Sequence, residues 1–324
     1  LLEHNARPGR RYAEIQQMGA ELRQLGDRIA NATIEPAVAM VLSYDSRFAF
    51  QIQPNNPQLS YPGHFFQIYR ALQRRNVPVD IVAPDADLAP YRLVIAPALH
   101  VLPARHAAHL ERFVEAGGTL VVTARTGVKD EANAVVNLAL PGLLADLCGI
   151  VIDDYDSLAP GETRALAWAI EDSPALQDGQ SSAASVWCDV IRPTTAGTLA
   201  RYQQGYYAGE PAVTTNHYGS GQAVYVGTMG DEQLWSVLAA WLLDSAHVKA
   251  LLATPAGVEV TLRRQGEAQL LFVLNHTGQQ QTVELGGDAE YTDLLQRSSI
   301  EHGMLSIAAL DVAILQTRNE RGLT

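Results

Sequence analysis

Apolar and polar positions in the first half of the chain follow two alternating patterns. Short, continuous apolar runs are typical of parallel strands that are buried on both faces. Between these runs, apolar residues recur at helical spacing, as in Tyr61–Arg75 and in Pro103–Glu115. The patterns therefore predict strands at residues 37–42, 77–82, 92–96 and 119–123, and a fifth strand that begins at Ile150.

The repeat of a strand and a crossover helix predicts a parallel, doubly wound sheet, because each helix must cover one face of that sheet. From about residue 164 the strand-like runs lack intervening helices, and Tyr218–Gly221 is a turn typical of a hairpin. A long amphipathic helix is predicted over Glu232–Leu252, and residues 257–317 carry strand patterns only. The predicted fold class is α/β, with an antiparallel extension of the sheet followed by a small antiparallel β-sandwich.

Three segments follow from these patterns. Residues 1–35 are a polar lead-in with a predicted helix over Arg11–Ile29. Residues 36–254 are predicted to form the α/β domain, and residues 255–324 a small C-terminal β-domain. The chain begins with Leu1 rather than with methionine, and we therefore expect a fragment or a processed chain.

Composition narrows the function classes. A net charge of -12 over 324 residues repels polyphosphate, which disfavours nucleic acid as a partner. Neither a long apolar run nor a basic amphipathic helix indicates a membrane partner. The two cysteines, Cys148 and Cys188, lie in apolar surroundings and are predicted to be buried free thiols, which fits a cytoplasmic location.

Ligands of doubly wound sheets bind at the carboxyl ends of the strands, where nucleotide sites carry glycine-rich loops. No such loop follows the predicted strands, so we expect no nucleotide cofactor. Amidotransferase-like folds place a nucleophilic cysteine after the third strand, where this chain has Ala98 and Leu99. A free-standing amidotransferase-like or hydrolase enzyme that uses His100 is the rival hypothesis.

Metal sites are also disfavoured. His106 and His109 lie three positions apart on one predicted helix, a spacing that can hold zinc, but the neighbouring residues are those of a solvated face. Asp153, Asp154 and Asp156 form an acidic cluster that lacks the ligand spacing of a calcium loop. We therefore predict no catalytic residue, no metal ligand and no cofactor in this chain.

Several stretches resemble the part of glycoside hydrolase family 42 β-galactosidases that follows their catalytic barrel. The lead-in Leu1–Tyr12 is similar to the family's exit from that barrel. The remaining similar stretches, in the family's order, are Ala37–Phe50, Gln53–Pro54, Ser60–Tyr61, Ile150–Gly161, Ala200–Tyr202, Gly205–Val213 and Val226–Thr228. The resemblance covers nearly the whole chain, and it depends on the order and spacing of these stretches rather than on any single motif.

The resemblance implies a flavodoxin-like, class I amidotransferase-like trimerisation domain followed by a small C-terminal β-domain. Full-length relatives hydrolyse β-galactosides with retention, through two glutamates on an N-terminal barrel that would lie upstream of Leu1. This chain is therefore expected to be non-catalytic by itself. Its expected partner is itself, in a homotrimer, and it would meet a β-galactoside only together with the barrel.

A long connection between the first predicted strand and the next helix, from Tyr44 to Tyr61, exceeds the usual length of such loops. We predict that it is a loop that reaches a neighbouring subunit. Tyr44, Phe48 and Phe50 would lie at that interface, because aromatic side chains dominate interface energetics. The alternative is a loop that folds back on its own domain.

A third hypothesis gives the C-terminal β-domain a carbohydrate-binding role. Aromatic rings usually form the platforms on which sugars stack. Residues 257–317 contain only Phe272 and Tyr291 as aromatics, so this hypothesis ranks below the other two.

Overall fold

The computed structural model of the protein describes residues 2–169, 181–286, 290–300 and 303–317. The chain divides into two compact units. The smaller unit comprises Leu1–Glu35, Arg74–Asn76 and Ala250–Thr324, and the larger unit comprises Pro36–Gln73 and Val77–Lys249.

The helices of the described residues cover most of the predicted helical segments. They are α1 Arg10–Ile29, α2 Tyr44–Ile52, α3 Tyr61–Gln73, α4 Ala104–Glu115, α5 Ala145–Cys148 and α6 Glu232–Ser245. The helix α2 corrects the sequence analysis, which predicts a loop from Tyr44 onward. Ser43 caps this helix, because its Oγ accepts a hydrogen bond from the backbone N–H of Ser46 at 3.1 Å.

The strands of the larger unit include one at each strand position that the sequence analysis predicts. They are β1 Val38–Val41, β2 Val79–Val82, β3 Leu93–Ala96, β4 Thr119–Thr123, β5 Ile150–Ser157, β6 Thr163–Trp168, β7 Ser182–Ser185, β8 Trp187–Pro193, β9 Gly197–Tyr202, β10 Pro211–Tyr218 and β11 Gly221–Val226. The smaller unit has β12 Val258–Gln265, β13 Ala268–Asn275, β14 Gln281–Glu284, β15 Tyr291–Asp293, β16 Ser298–Ile300, β17 Met304–Ile307 and β18 Val312–Thr317.

The large sheet has the order β2-β1-β3-β4-β11-β10-β9-β6-β7. The neighbours from β2 to β11 pair in parallel, and the strands beyond β11 pair antiparallel. Strands β1, β3 and β4 are buried along their whole length. The helices α3 and α6 pack on one face of this sheet, and α4 and α5 pack on the other. The fold is therefore mixed α/β with a helix layer on each face of the parallel part.

The fifth parallel strand is not the one that the sequence analysis predicts. Strand β11 pairs in parallel with β4, whereas β5 pairs antiparallel with β8 in a separate two-stranded ribbon. The physical reason is polarity. A central strand must be buried on both faces, and β5 carries exposed Asp153, Asp154 and Tyr155. Strand β11 instead ends in the buried run Ala223–Val226.

The smaller unit contains two antiparallel sheets, one with the order β12-β13-β18-β15-β16 and one formed by β14 and β17. Side chains from both sheets share a core that includes Val260, Val273, Val283 and Leu305. Within the predicted C-terminal domain, residues 287–289, 301–302 and 318–324 lie outside the described residues. The described helices include none long and apolar enough to cross a bilayer.

Candidate functional site

The outer face of α2 carries apolar side chains that contact solvent. Tyr44, Phe48 and Ile52 recur every four residues and are 56%, 51% and 75% exposed. The rings of Tyr44 and Phe48 lie 5.9 Å apart, and the Arg47 guanidinium lies 5.6 Å from the centre of the Tyr44 ring. We call Tyr44, Phe48 and Ile52 the α2 stripe. It is a continuous row along one side of a helix, as helical spacing requires.

Phe50 points the other way. Two residues beyond Phe48 on a helix, it lies on the inner face and is 3% exposed. Its ring stacks against Tyr61 at 6.1 Å and lies 4.5 Å from the ring of His100. The sequence analysis places Phe50 at a subunit interface, but its side chain lies within its own unit and has almost no free surface for a partner.

The carboxyl edge of the parallel strands, where doubly wound folds bind ligands, is filled by the protein's own side chains. We call this group the crevice cluster; it consists of Phe50, Leu59, Tyr61, Ala98, Ala124, Trp187 and Met229. Trp187 lies between two groups, with the Tyr155 ring stacked on it at 4.5 Å and the Arg125 guanidinium 4.4 Å from its ring centre.

Polar groups beneath this cluster are buried with it. The indole N–H of Trp187 donates to Asp189 Oδ1 at 2.8 Å, and the hydroxyl of Tyr225 donates to Asp189 Oδ2 at 2.7 Å. Burial raises the pKa of Asp189 to about 6, although both hydrogen bonds and nearby Arg125 lower it. The sequence gives little sign of this group, because Trp187 and Asp189 come from β8, far along the chain from the predicted parallel strands.

The turn after β3 keeps a strained elbow shape without a nucleophile. Ala98 has a φ of 40°, and its backbone N–H donates to Thr123 Oγ1 at 2.8 Å. His100 is fully buried, its Nδ1 lies 3.0 Å from the Arg125 carbonyl oxygen, and burial lowers its pKa to about 4. An amidotransferase-like enzyme needs a thiolate here. Burial raises the pKa of Cys148 to about 12 and that of Cys188 to about 11, so both are neutral thiols near neutral pH.

The two candidate zinc histidines do not converge on a metal position. His109 Nε2 donates to the Ala86 carbonyl oxygen at 2.7 Å, and Arg112 Nη2 lies 3.4 Å from His109 Nδ1, so both ring nitrogens have protein partners. Burial is the main cause of the lowered pKa of His106. Within the described ranges, no group of three or more His, Cys, Asp or Glu side chains could hold a metal ion.

The acidic cluster on β5 is engaged in the structure of the ribbon. Asp153 accepts two hydrogen bonds from Arg192, at 2.8 and 3.1 Å. The hydroxyls of Tyr206 and Tyr207 donate to Asp154 and Asp156, at 3.0 and 2.7 Å. Arg164 adds a contact to Asp156 at 3.3 Å. Each of the three carboxylates therefore has a side-chain partner in the protein, which explains the acidic cluster as a set of structural contacts.

A cleft of about 970 Å³ lies at the opposite, amino edge of the parallel strands. Arg92, Arg112 and His247 are among its lining residues. Arg92 donates to the His247 carbonyl oxygen at 2.9 Å, just beyond the end of α6, and Arg112 lies in the last turn of α4. Cations at these positions complement the negative ends of the two helices, which explains them without a ligand.

Comparisons with known proteins agree on one family. Residues 36–249 match the model of a β-galactosidase trimerisation domain, and residues 257–317 match that of a β-galactosidase C-terminal domain. The chain is 33% identical over 313 residues to a β-galactosidase of Geobacillus kaustophilus, covering 96% of this chain and 45% of that protein. It is 32% identical over 308 residues to a β-galactosidase of Heyndrickxia coagulans, covering 95% and 44%.

A solved structure gives the same result in three dimensions. The chain is similar to the crystal structure of β-galactosidase from Bacillus circulans sp. alkalophilus, with a TM-score of 0.92 and 34% sequence identity. That match covers 98% of this chain and 46% of the other. The chain thus spans about half the length of the relatives it matches.

Proposed function

Since the chain belongs to glycoside hydrolase family 42 and carries the trimerisation and C-terminal domains of its β-galactosidases, we propose that it is the non-catalytic oligomerisation half of such an enzyme. In this proposal, terminal β-D-galactosides are hydrolysed with retention by a catalytic barrel in the rest of a longer protein. The observation that carries the proposal is the α2 stripe, a row of apolar side chains left uncovered by its own unit.

Self-association through the α2 stripe is the first part of the proposal. Tyr44 and Phe48 offer two large rings next to the cationic Arg47, which is the composition of interface hot spots. A homotrimer with cyclic symmetry would place each stripe against a different surface of the next subunit. Phe50 is 3% exposed, so in this proposal it supports α2 from within rather than contacting the partner.

The absence of catalysis is the second part. Retaining glycosidases need two carboxyl groups about 5–5.5 Å apart on either side of the scissile bond. The acids of β5 are held by Arg192, Tyr206 and Tyr207, and the crevice of the parallel sheet is filled. His100 lies against Phe50, and the elbow positions 98 and 99 carry alanine and leucine rather than a thiol or hydroxyl side chain, which argues against the rival enzyme.

The helix α1 supports the idea of a larger parent protein. Ile15, Met18 and Leu22 lie along one side of α1 and are 44%, 52% and 49% exposed. A stripe of this kind usually packs on another element. We infer that the catalytic barrel of the parent enzyme covers it, and that residues 1–35 connect that barrel to a trimerisation domain of residues 36–254 and a C-terminal β-domain of residues 255–324.

The finer fold and location complete the proposal. The parallel order β2-β1-β3-β4-β11 has the pattern of flavodoxin-like sheets, which supports that label for the larger unit. Two buried cysteines remain as free thiols, which supports a reducing, cytoplasmic location.

Light scattering coupled to size-exclusion chromatography tests the association. We expect the chain to form trimers at micromolar concentration, and the double variant Tyr44→Ser, Phe48→Ser to be monomeric. Phe66→Ser is the matched control, because Phe66 is a ring on α3 with a similar exposed fraction of 54%. A native chain that stays monomeric, or a control that dissociates as readily as the double variant, would contradict the proposal.

A nitrophenyl galactoside assay tests the catalytic part. The purified chain should release no nitrophenol above buffer, whereas a longer protein that includes a barrel should do so. Turnover by the chain that is lost in His100→Ala would replace our proposal with the rival enzyme.

A further inference from the structure

A cavity of about 350 Å³ opens within the smaller unit. This volume lies at the lower end of the roughly 300–1,000 Å³ typical of small-molecule sites. Its described lining comes from β15, β16, β17 and β18, from Gln296, Ala308 and Asp311 between strands, and from Gln280 directly before β14. The cavity thus lies where both antiparallel sheets of this unit contribute side chains.

Hydroxyls and amides form much of its polar lining. Gln280, Gln296, Ser298 and Ser306 all line the cavity. The amide of Gln280 donates to Ser306 Oγ at 2.7 Å, so the hydroxyl proton of Ser306 remains available for another acceptor. Groups of this kind both donate and accept, as the hydroxyls of a ligand require.

Two carboxylates are fixed at the cavity wall. Asp293 is 2% exposed, and its Oδ1 accepts hydrogen bonds from the backbone N–H groups of Leu295 and Gln296 at 2.8 and 3.2 Å. Asp311 Oδ1 accepts from the N–H of Val312 at 2.9 Å. Each bond holds one carboxylate oxygen in place. A fixed carboxylate oxygen is a strong acceptor for a ligand hydroxyl.

The cavity also has an apolar part. Leu305, Ile307 and Ala313 line it and are 6%, 3% and 3% exposed, and they belong to the core shared by the two sheets. An aliphatic surface of this kind can contact the C–H face of a sugar ring. Because it lacks an aromatic platform, the expected affinity is weak, with a dissociation constant on the order of 1 mM.

The charges of the lining select the class of ligand. The lining residues that the structure describes include two carboxylates and no Lys, Arg or His, and this charge balance disfavours a phosphate or carboxylate ligand. No group of three metal-ligating side chains occurs in the described part of the chain, which argues against a cation. We propose that this cavity binds a neutral saccharide unit, with Asp311, Gln280 and Ser306 as hydrogen-bonding partners. The site is independent of the α2 stripe, which belongs to the other unit.

Saturation-transfer NMR on the full chain tests the site, with galactose and glucose as probes at up to about 50 mM, well above the expected dissociation constant. We expect transfer to at least one of the two sugars. Asp311→Asn keeps the oxygen that accepts from Val312 but removes the charge, and should raise the dissociation constant obtained by titrating the sugar about tenfold or more. Ser306→Val should block the cavity sterically, while a β-branched residue remains suited to its strand.

The matched control is Asp27→Asn, which makes the same charge change on α1 of the same unit, outside the cavity lining. Its signal should equal that of the native chain. Circular dichroism establishes that each variant is folded. The proposal would be overturned if saturation is transferred to neither sugar, or if Asp27→Asn loses binding as Asp311→Asn does. Unchanged transfer in both cavity variants would also overturn it, as would a cation such as Ca²⁺ that binds in place of the sugars. Trimer formation is measured separately, so its failure does not affect this test.

Discussion

The helix α2 contributes to two different regions of the larger unit. Its inner face adds Phe50 to the crevice cluster, and its outer face carries the α2 stripe. In the crevice cluster, Phe50 and Trp187 are 3% and 1% exposed and pack against other rings of the same chain. On the stripe, Tyr44 and Phe48 are more than half exposed and contact mainly each other and Arg47. Aromatic residues within a few positions of each other thus serve different purposes.

The difference lies in what each set of rings packs against: the crevice cluster packs against the unit's own core, whereas the stripe faces solvent. The rings at the carboxyl edge of the parallel sheet are part of a buried apolar cluster, which stabilises the unit. The same helix that closes the crevice then presents a stripe to the outside. The comparison predicts that substitutions on the inner face lower the free energy of unfolding, whereas those on the outer face weaken association.

The largest expected effect is on Trp187. Trp187→Ala should lower the free energy of unfolding by about 3–5 kcal/mol, since it removes the largest ring of the crevice cluster and leaves a cavity. Urea denaturation at neutral pH measures this. Tyr155→Ala is the control, because that ring is 53% exposed and should cost only about 1 kcal/mol. Equal losses in the two variants would show that the cluster is not part of the core.

The next effect compares two phenylalanines on the two faces of α2. Phe50→Ala should lower the free energy of unfolding by about 3 kcal/mol, and Phe48→Ala by less than about 0.5 kcal/mol when both are measured on monomers. Phe48→Ala should instead weaken association about tenfold or more. Urea denaturation measures the loss of stability, and light scattering measures association. Equal losses of stability in the two variants would contradict the difference between the inner and outer faces of α2.

A smaller effect concerns the pH dependence that Asp189 confers. Its pKa is raised from 3.8 to about 6 in the folded state, so the folded chain holds this proton more tightly than the unfolded chain does. The contribution of this group to stability is therefore largest below about pH 4 and falls as the pH rises to about 6, by at most about 1.4 kcal/mol per pH unit. Asp189→Asn should remove this pH dependence, which urea denaturation at several values from pH 4 to 7 measures. The same pH dependence in the variant would contradict the assignment to Asp189.

The smallest expected effect isolates the Arg125 guanidinium above Trp187. Arg125→Met keeps an unbranched stem but loses the charge, and should lower the free energy of unfolding by about 0.5–1 kcal/mol. Arg47→Met is the control, because that guanidinium lies beside the exposed Tyr44 ring, and it should leave monomer stability unchanged within about 0.5 kcal/mol. A loss at position 47 as large as that at position 125 would remove the distinction between the two faces.

Much of the parallel sheet could be predicted from the sequence, because its signals are local. The apolar runs of β1, β3 and β4 and the helical spacing of α3 and α4 are confirmed at nearly the predicted positions. The prediction of a fifth parallel strand at Ile150 was wrong, since the apolar start of β5 resembles a buried strand for only three residues before its acidic part begins. From Asp153 onward the residues of β5 are mostly exposed, which suits a two-stranded ribbon better than the centre of a sheet.

The candidate site was less predictable. Tyr44 and Phe48 are exposed on α2. The sequence analysis predicts a loop here because it does not use Ser43, whose side chain caps the helix, as a helix start signal. The interface itself stays a prediction. The burial of Phe50 depends on Tyr61 and His100, which lie elsewhere in the chain, and no local pattern indicates them.

The amino-acid sequence by itself determined the local features of the chain. These are the positions of the buried strands and crossover helices, and the presence of alanine rather than a nucleophile at position 98. Only the tertiary structure decided that β11 completes the parallel sheet and that Trp187 fills the crevice. The physical reason is range. Periodicity and capping act over a few neighbouring residues, whereas strand order and the filling of a cavity depend on side chains that meet only after distant segments have packed together.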